Sequence, residues 1–289
     1  MTKLAGHRVQ IIHNKDAGRH LPAKLTALRA GFEAYGAEVV ESECGPGSEI
    51  AIDHAAAHVC AVGGDGTVRH VALAVVRCGR SLPMSVYPSG TVNLVHREFS
   101  AHHAPHSHAE RVMRLDQGCS HYSVQVNDTL FLACASVGPD SRTVAALSPR
   151  LKRHFGRLAY AAALVRVLAD WRRDKIEILC EGRAITCEAF YVAKGRYFAG
   201  PWSIAQDARL GVPLLHVVAL IRARRRDFVR LVWALLTGRR ADALAGVTAF
   251  TCTALTATAA ANLPVQADGD IAANLPARFE LLPNPILFR

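Results

Sequence analysis

No apolar run in this 289-residue chain approaches the roughly 20 residues that a membrane-spanning helix needs. The segment from Phe228 to Leu236 is among the longest, and Arg230 interrupts it. The opening MTKLAGHRVQIIHNKDAG has neither an uninterrupted apolar core nor a small-residue cleavage site, so no secretory signal is expected and a cytoplasmic protein is. No Cys-x-x-Cys pair occurs among the eight cysteines, and several lie in apolar runs such as HVCAV and LFLACA. That dispersal argues against a disulfide framework and for buried, reduced thiols. There is no internal repeat. Charged residues are 20% and hydrophobic residues 51%, which excludes a disordered or collagen-like chain. The length favours two domains.

What is present begins with charge. The formal net charge is +10, and it is localised. Residues 1–149 hold 13 basic and 13 acidic residues, whereas 150–175 hold eight and two, and 222–240 hold seven and one. Such an excess points to an anionic partner, namely nucleic acid, a phospholipid surface or a phosphorylated ligand, or else to a solvated helix face. Nucleic acid is disfavoured: aromatics, Trp171 and Trp233 foremost, interleave the two segments only sparsely, and no reader motif occurs.

Hydrophobic periodicity divides the chain near residue 120. Before it, short apolar strands (Val9 to Ile12, Ala37 to Val40, Val59 to Val62, Met84 to Tyr87) alternate with helical faces. One face carries Leu21, Leu25, Leu28, Phe32 and Tyr35, with Gly36 as its cap, and the other carries Val68, Val71, Ala72, Val75 and Val76. This rhythm predicts a parallel sheet covered by helices. Beyond it, strand-like runs flank turn residues at Asn127-Asp128-Thr129 and Glu181-Gly182-Arg183. Further strands are expected at Ile176 to Leu179, Ala184 to Val192, Leu215 to Ile221, Val247 to Thr258, Pro264 to Ala267 and Arg278 to Leu282. Helices are expected at Leu158 to Trp171 and Phe228 to Thr237, within the basic segments. The His-rich stretch Ala101 to Ala109 reads as a solvated loop.

Three loops carry candidate chemistry. Gly63-Gly64-Asp65-Gly66-Thr67 joins a buried strand to an amphipathic helix. Its glycines permit close backbone approach, and the helix N-terminus favours a phosphate. Such a glycine pair also occurs for packing alone. Asp65 would repel a bare phosphate, so it points to metal-assisted phosphoryl transfer. The loop lacks the lysine of a P-loop. Tyr87-Pro88-Ser89-Gly90-Thr91-Val92-Asn93 also follows a strand, so both loops belong at the carboxyl edge of one sheet; an ordinary turn is the plainer alternative. Asp268-Gly269-Asp270 reads in isolation as a hairpin turn.

Taken together, these pieces resemble the diacylglycerol kinase catalytic family, which includes bacterial lipid kinases and, more distantly, sphingosine and ceramide kinases. VQIIHNKDAG is similar to the family's opening strand and Asn-Pro-x-x-Gly turn, GGDGTVRHVA to its nucleotide loop, and YPSGTVNLVHREF to its Pro-x-Gly-Thr-x-Asn stretch. GRYFAGPWSIAQDARLG resembles its glycine-rich hairpin, and PVQADGD with PARFELLPNPILF its closing Asp-Gly-Glu strand pair. GGDG by itself is shared with NAD kinases and phosphofructokinases.

The resemblance implies an α/β fold with a Rossmann-like parallel-sheet nucleotide domain (1–120) followed by a β-rich, sandwich-like lipid-substrate domain (121–289), the active site lying between them. It implies ATP surrounded by Asn14, Ser42, Gly63, Gly64, Asp65, Gly66, Thr67, Gly90, Thr91 and Asn93, with Asp65 organising magnesium. Asp268 or Asp270 would accept the proton of a lipid hydroxyl, Asp270 standing where the family has glutamate. Four departures accompany the match. Lys15 replaces a proline, His70 a glutamate and Leu94 an acid, and Gly211-Val212-Pro213 replaces an Asp-Asp-Gly that helps hold a structural magnesium in some bacterial members. The expected function is an ATP- and magnesium-dependent lipid kinase, peripheral on an anionic membrane surface through its basic segments. The alternatives are a weakly active nucleotide- or lipid-binding regulator and a soluble-substrate kinase such as an NAD kinase.

Overall fold

The computed structural model describes residues 6–15, 22–45, 48–99, 104–115, 118–146, 167, 169 and 171–289. Two compact units divide the chain: Met1–His121 with Asn284–Arg289, and Tyr122–Pro283.

The first unit is built on six strands in the order β2 (Glu38–Cys44), β1 (Arg8–Asn14), β3 (Ala56–Gly63), β4 (Met84–Pro88), β18 (Ile286–Phe288) and β5 (Cys119–His121). Strands β1 to β4 are parallel. Alternate strand residues Val9, Ile11, Cys60 and Val62 bury with Leu28 and Phe32 of α1 (Pro22–Ala34) and with Ala109, Val112 and Met113 of α4 (Pro105–Arg114). In α2 (Asp65–Arg77), Val68, Val71, Ala72 and Val75 are buried at helical spacing. Sheets covered on both faces have uniformly apolar strands, which is why these runs were legible as parallel strands.

Two elements of the first unit differ from the sequence reading. The second domain was expected to run to residue 289, but 284–289 belong to the first unit. Strand β18 inserts between β4 and β5, where Phe288 stacks on Phe99 at 5.2 Å between ring centroids. The expected His-rich loop is in part a helix, because Pro105 pre-sets its first turn and Ala109, Val112 and Met113 form an apolar face. His108 within it is fully buried, 5.4 Å from the Tyr87 ring. His102 and His103 lie outside the described residues.

The second unit is a sandwich of two antiparallel six-stranded sheets. One runs β10 (Arg183–Cys187), β9 (Ile176–Cys180), β14 (Ala254–Ala259), β17 (Ala277–Leu281), β6 (Val124–Val126), β7 (Thr129–Phe131). The other runs β13 (Val247–Cys252), β12 (Leu215–Leu220), β11 (Ala189–Ala193), β8 (Cys134–Val137), β15 (Pro264–Ala267), β16 (Asp270–Asn274). Their facing side chains, among them Phe131, Phe190, Val217, Leu255 and Phe279, form one core. The far face of the second sheet is covered in turn: Tyr191 and Val218 pack with Ile204, Ala208 and Leu231, the last from α6 (Arg225–Leu236). Two runs expected as single strands each break at one residue, Glu188 and Thr253, and the halves join different sheets. The helix expected over 158–171 lies almost wholly outside the described residues. All eight cysteines are free; six are buried, Cys78 is half-buried and Cys119 is exposed.

Candidate functional site

In the first sheet, strand order reverses between β1 and β3, since β2 lies on one side of β1 and β3 on the other. Ligands of open α/β sheets bind outside the carboxyl ends of the strands at such a switch point. Register pairs His13 with Val62 and Gly63 with Pro88, so Asn14, Gly63 and Pro88 end their strands at one edge. The Asn14 Nδ2 donates to Thr67 Oγ1 at 3.3 Å, bridging the switch point.

The two loops expected at this edge touch. A Cβ on Gly90 would stand 2.5 Å from Gly64 Cα, and one on Gly63 would stand 2.3 Å from Thr67 Cβ. Neither position tolerates a side chain. Ser89 N–H donates to Gly63 carbonyl oxygen at 3.0 Å, tying the loops through the backbone. Asn93 has φ 54° and locks the second loop locally: its Oδ1 accepts Gly90 N–H at 3.1 Å and its Nδ2 donates to Gly90 O at 2.8 Å. Thr91, at the tip, is exposed. The Ser89 hydroxyl is buried beside these loops with no hydrogen-bond partner among the described residues.

Asp65 opens α2, with Gly64 as its N-cap. Its Oδ1 accepts Leu94 N–H at 2.6 Å, at the start of α3 (Leu94–Glu98). That bond fixes the carboxylate between the loops and rests on the Leu94 backbone, so the side chain at 94 is dispensable for it. A carboxylate has about four lone-pair sites, so the Leu94 bond by itself does not exhaust it. Magnesium is commonly held by one or two carboxylates together with substrate phosphates and water. Asp65 fits that mode. Among the described residues no group of three His, Cys, Asp or Glu forms a metal cage.

Ser42 stands apart from this group. It lies in β2 level with Ile12, and its hydroxyl accepts from Gln10 Nε2 at 3.0 Å, in a cluster where Gln10 also binds Ala51 O and Asp53 N–H. His70 is exposed on α2.

In the second unit, Asp268 and Gly269 form the two-residue loop between β15 and β16, with φ of 48° and 88°. Positive φ at both residues is what a type I′ hairpin requires. The Asp268 side chain turns back into the sheet and is 4% exposed. Its Oδ2 accepts Leu132 N–H at 2.7 Å, and its Oδ1 accepts Ala133 N–H at 2.9 Å and Cys134 N–H at 3.1 Å. Asp270, which begins β16, is only half-buried. A carboxylate not singled out from sequence, Asp140, lies in the first turn of α5 (Pro139–Ala145) and is 7% exposed. Its Oδ2 accepts from the Ser136 hydroxyl at 2.6 Å, and Ser136 also lies 3.1 Å from Gln266 Oε1 in β15. Burial first, and the Asp140 charge second, hold the Tyr191 phenol well above its ordinary pKa. The local signal for Asp140 was Gly138-Pro139-Asp140 at a strand-to-helix turn, with Gly138 at φ 131°.

Comparison with known proteins finds matches along both parts of the chain. Residues 8–120 match the diacylglycerol kinase catalytic domain, and 133–288 match the YegS C-terminal NAD kinase beta sandwich-like domain. A diacylglycerol kinase of Bacillus subtilis is 26% identical over 246 residues, covering 80% of this chain and 79% of its own. A Pseudomonas aeruginosa protein described as a probable lipid kinase YegS-like is 30% identical over 237 residues, covering 80% of this chain and 72% of its own. The crystal structure of a diacylglycerol kinase from Bacillus anthracis str. Sterne aligns over 98% of this chain and 96% of that one, with a TM-score of 0.71 and 14% identity. At that identity the likeness shows the fold alone.

Proposed function

Because the chain belongs to the diacylglycerol kinase and YegS-type lipid kinase family, we propose that it transfers the γ-phosphoryl group of ATP to the hydroxyl of a lipid alcohol, with magnesium. The observation that carries the donor assignment is the contact of two glycine loops, Gly63 to Thr67 and Gly90 to Asn93, at the switch point of a parallel sheet. Backbone N–H groups at the start of α2 suit phosphate oxygens. Asn14 and Thr67 bind beside them, and Asp65 holds the magnesium that arrives with the nucleotide. When bound, that ion supplies neutralisation of the charge on the β- and γ-phosphates.

On the acceptor side, the lipid hydroxyl must lose its proton as its oxygen bonds to phosphorus and the bond to the ADP oxygen breaks. Asp270 is the better proton acceptor of the hairpin pair. Its neighbour Asp268 already receives three backbone N–H groups and serves to shape the turn. A carboxylate so occupied has little capacity left for a substrate proton.

A lipid acceptor is met at a bilayer, and α6 offers a surface for that. Val229, Trp233 and Leu236, spaced to share one helix face, are 57%, 60% and 51% exposed. Arg226 and Arg230 flank them, and Phe228, Leu231 and Ala234 anchor the opposite side in the core. Apolar side chains between arginines suit an anionic lipid surface.

Label transfer from γ-labelled ATP tests the reading. Purified protein should label lipid alcohols in mixed micelles when magnesium is present and should leave NAD unlabelled. Labelled NAD with unlabelled lipids would replace this reading with the soluble-substrate one.

A further inference from the structure

The structural magnesium that the resemblance attaches to the second unit does not fit the residues present. Gly211, Val212 and Pro213 offer no carboxylate, and the carbonyls of that turn are already engaged by a cation that belongs to the chain. Lys194 follows directly on β11 and is fully buried. Its Nζ donates to the carbonyl oxygens of Arg209 at 2.8 Å, Leu210 at 2.7 Å and Val212 at 2.8 Å. Carbonyls only accept, so three of them require three N–H donors, which only the ammonium form supplies. A magnesium ion would need oxygens at about 2.0–2.1 Å in octahedral array and would face this positive charge across the same carbonyls.

We infer that Lys194 is a tethered cation that holds the 209–212 turn in place of a bound metal ion, so that the second unit keeps its structure without a metal. The tether reaches further. Lys194 N–H and Gly195 N–H both donate to Ala133 O, at 2.8 and 2.9 Å, and Ala133 N–H donates to Asp268 Oδ1. Leu210 O also receives Tyr122 N–H at 3.4 Å, at the chain's entry into this unit. Lys194 is therefore a positioning residue: through Ala133, to which its backbone is bonded, it braces the turn that carries Asp268 and Asp270. Only this last role rests on the proposed function.

Thermal melts of the full chain without nucleotide test the inference. The wild-type melting temperature should be the same in EDTA and in millimolar magnesium, whereas Lys194→Met should melt lower by on the order of 10 °C in both. A saturable rise of several degrees when magnesium alone is added to wild type would overturn the inference, as would Lys194→Met melting like wild type. Should Lys194→Met fail to fold, the wild-type titration decides. With labelled ATP, activity at saturating magnesium–ATP should not rise with further free magnesium; a second, saturable activation would count against the inference. Absence of any kinase activity would count against the proposed function and leave the melting result standing.

Discussion

Gly64 and Gly90, 26 residues apart in sequence, approach so closely that a Cβ on Gly90 would lie 2.5 Å from Gly64 Cα. Gly90→Ala should therefore force the two loops apart, and Gly64→Val should crowd the same contact from the other side. Each should weaken ATP binding at least tenfold, on the order of 1.4 kcal/mol, in a protein whose circular dichroism is unchanged. Calorimetric titration that returns wild-type affinity for both would remove the loops as the nucleotide site.

The carboxylates should separate by phenotype. Asp65→Asn preserves an oxygen for Leu94 N–H but loses the charge, so it should lower both magnesium–ATP affinity and turnover while sparing the fold. Asp270→Asn should cut turnover on the order of 10²–10⁴-fold with little change in melting temperature or ATP affinity. Asp268→Asn places an amide among three N–H donors and should cost about 2–4 kcal/mol of stability. Steady-state kinetics beside melting curves checks all three. Near-normal turnover in Asp270→Asn would return the proton to Asp65.

Acid should destabilise the first unit through His58. This ring is fully buried, with Nε2 2.8 Å from Ser85 Oγ. Burial foremost, then the charges of Arg289 and Arg111, push its pKa down from 6.5 to about 3. The unfolded chain thus binds a proton that the folded one refuses. The stability due to the neutral ring is complete above pH 6.5 and is lost progressively as pH falls from there toward 3. The slope approaches about 1.4 kcal/mol per pH unit. Urea melts at pH 6.5 and 5.0, where most carboxylates remain ionised, should show a shallower dependence in His58→Gln. Equal slopes would mean that the ring protonates in the folded state.

Vesicle sedimentation tests α6. Binding should require anionic lipid and weaken as salt is raised. Reversing Arg226 and Arg230 to glutamate, or changing Trp233 to serine, should weaken it severalfold without lowering the melting temperature, because these side chains lie outside the core. Equal binding to neutral and anionic vesicles would leave α6 a solvated face.

Features set by neighbours in sequence were legible without the structure. The strand–glycine–helix passage at 59–77, the hairpin loops at Asn127-Asp128, Glu181-Gly182 and Asp268-Gly269, and the buried face of α1 all follow from local periodicity and turn chemistry. Illegible features depend on partners far along the chain. Glu188 and Thr253 divide runs that look continuous, because the sheet each half joins is chosen by the opposite layer of the sandwich. The histidines of α4 hid its apolar face. Ser42 matched the family pattern, yet its hydroxyl is bound by Gln10. Asp268 was legible as a carboxylate in a motif, but its three N–H donors, 134 to 136 residues away, were not.

Strand β18 has a consequence for synthesis. It lies between β4 and β5, yet Tyr122–Pro283 separates it from β5 in the chain. A ribosome adding about 5–20 residues per second leaves the nascent first sheet with a gap for on the order of ten seconds while the whole sandwich is made. During that interval the edges of Met84–Pro88 and Cys119–His121 that β18 will cover stand open, and open edges invite pairing with other chains. Aggregation during expression should therefore respond to translation rate and to chaperones that shield strand edges, more than to the stability of the finished protein.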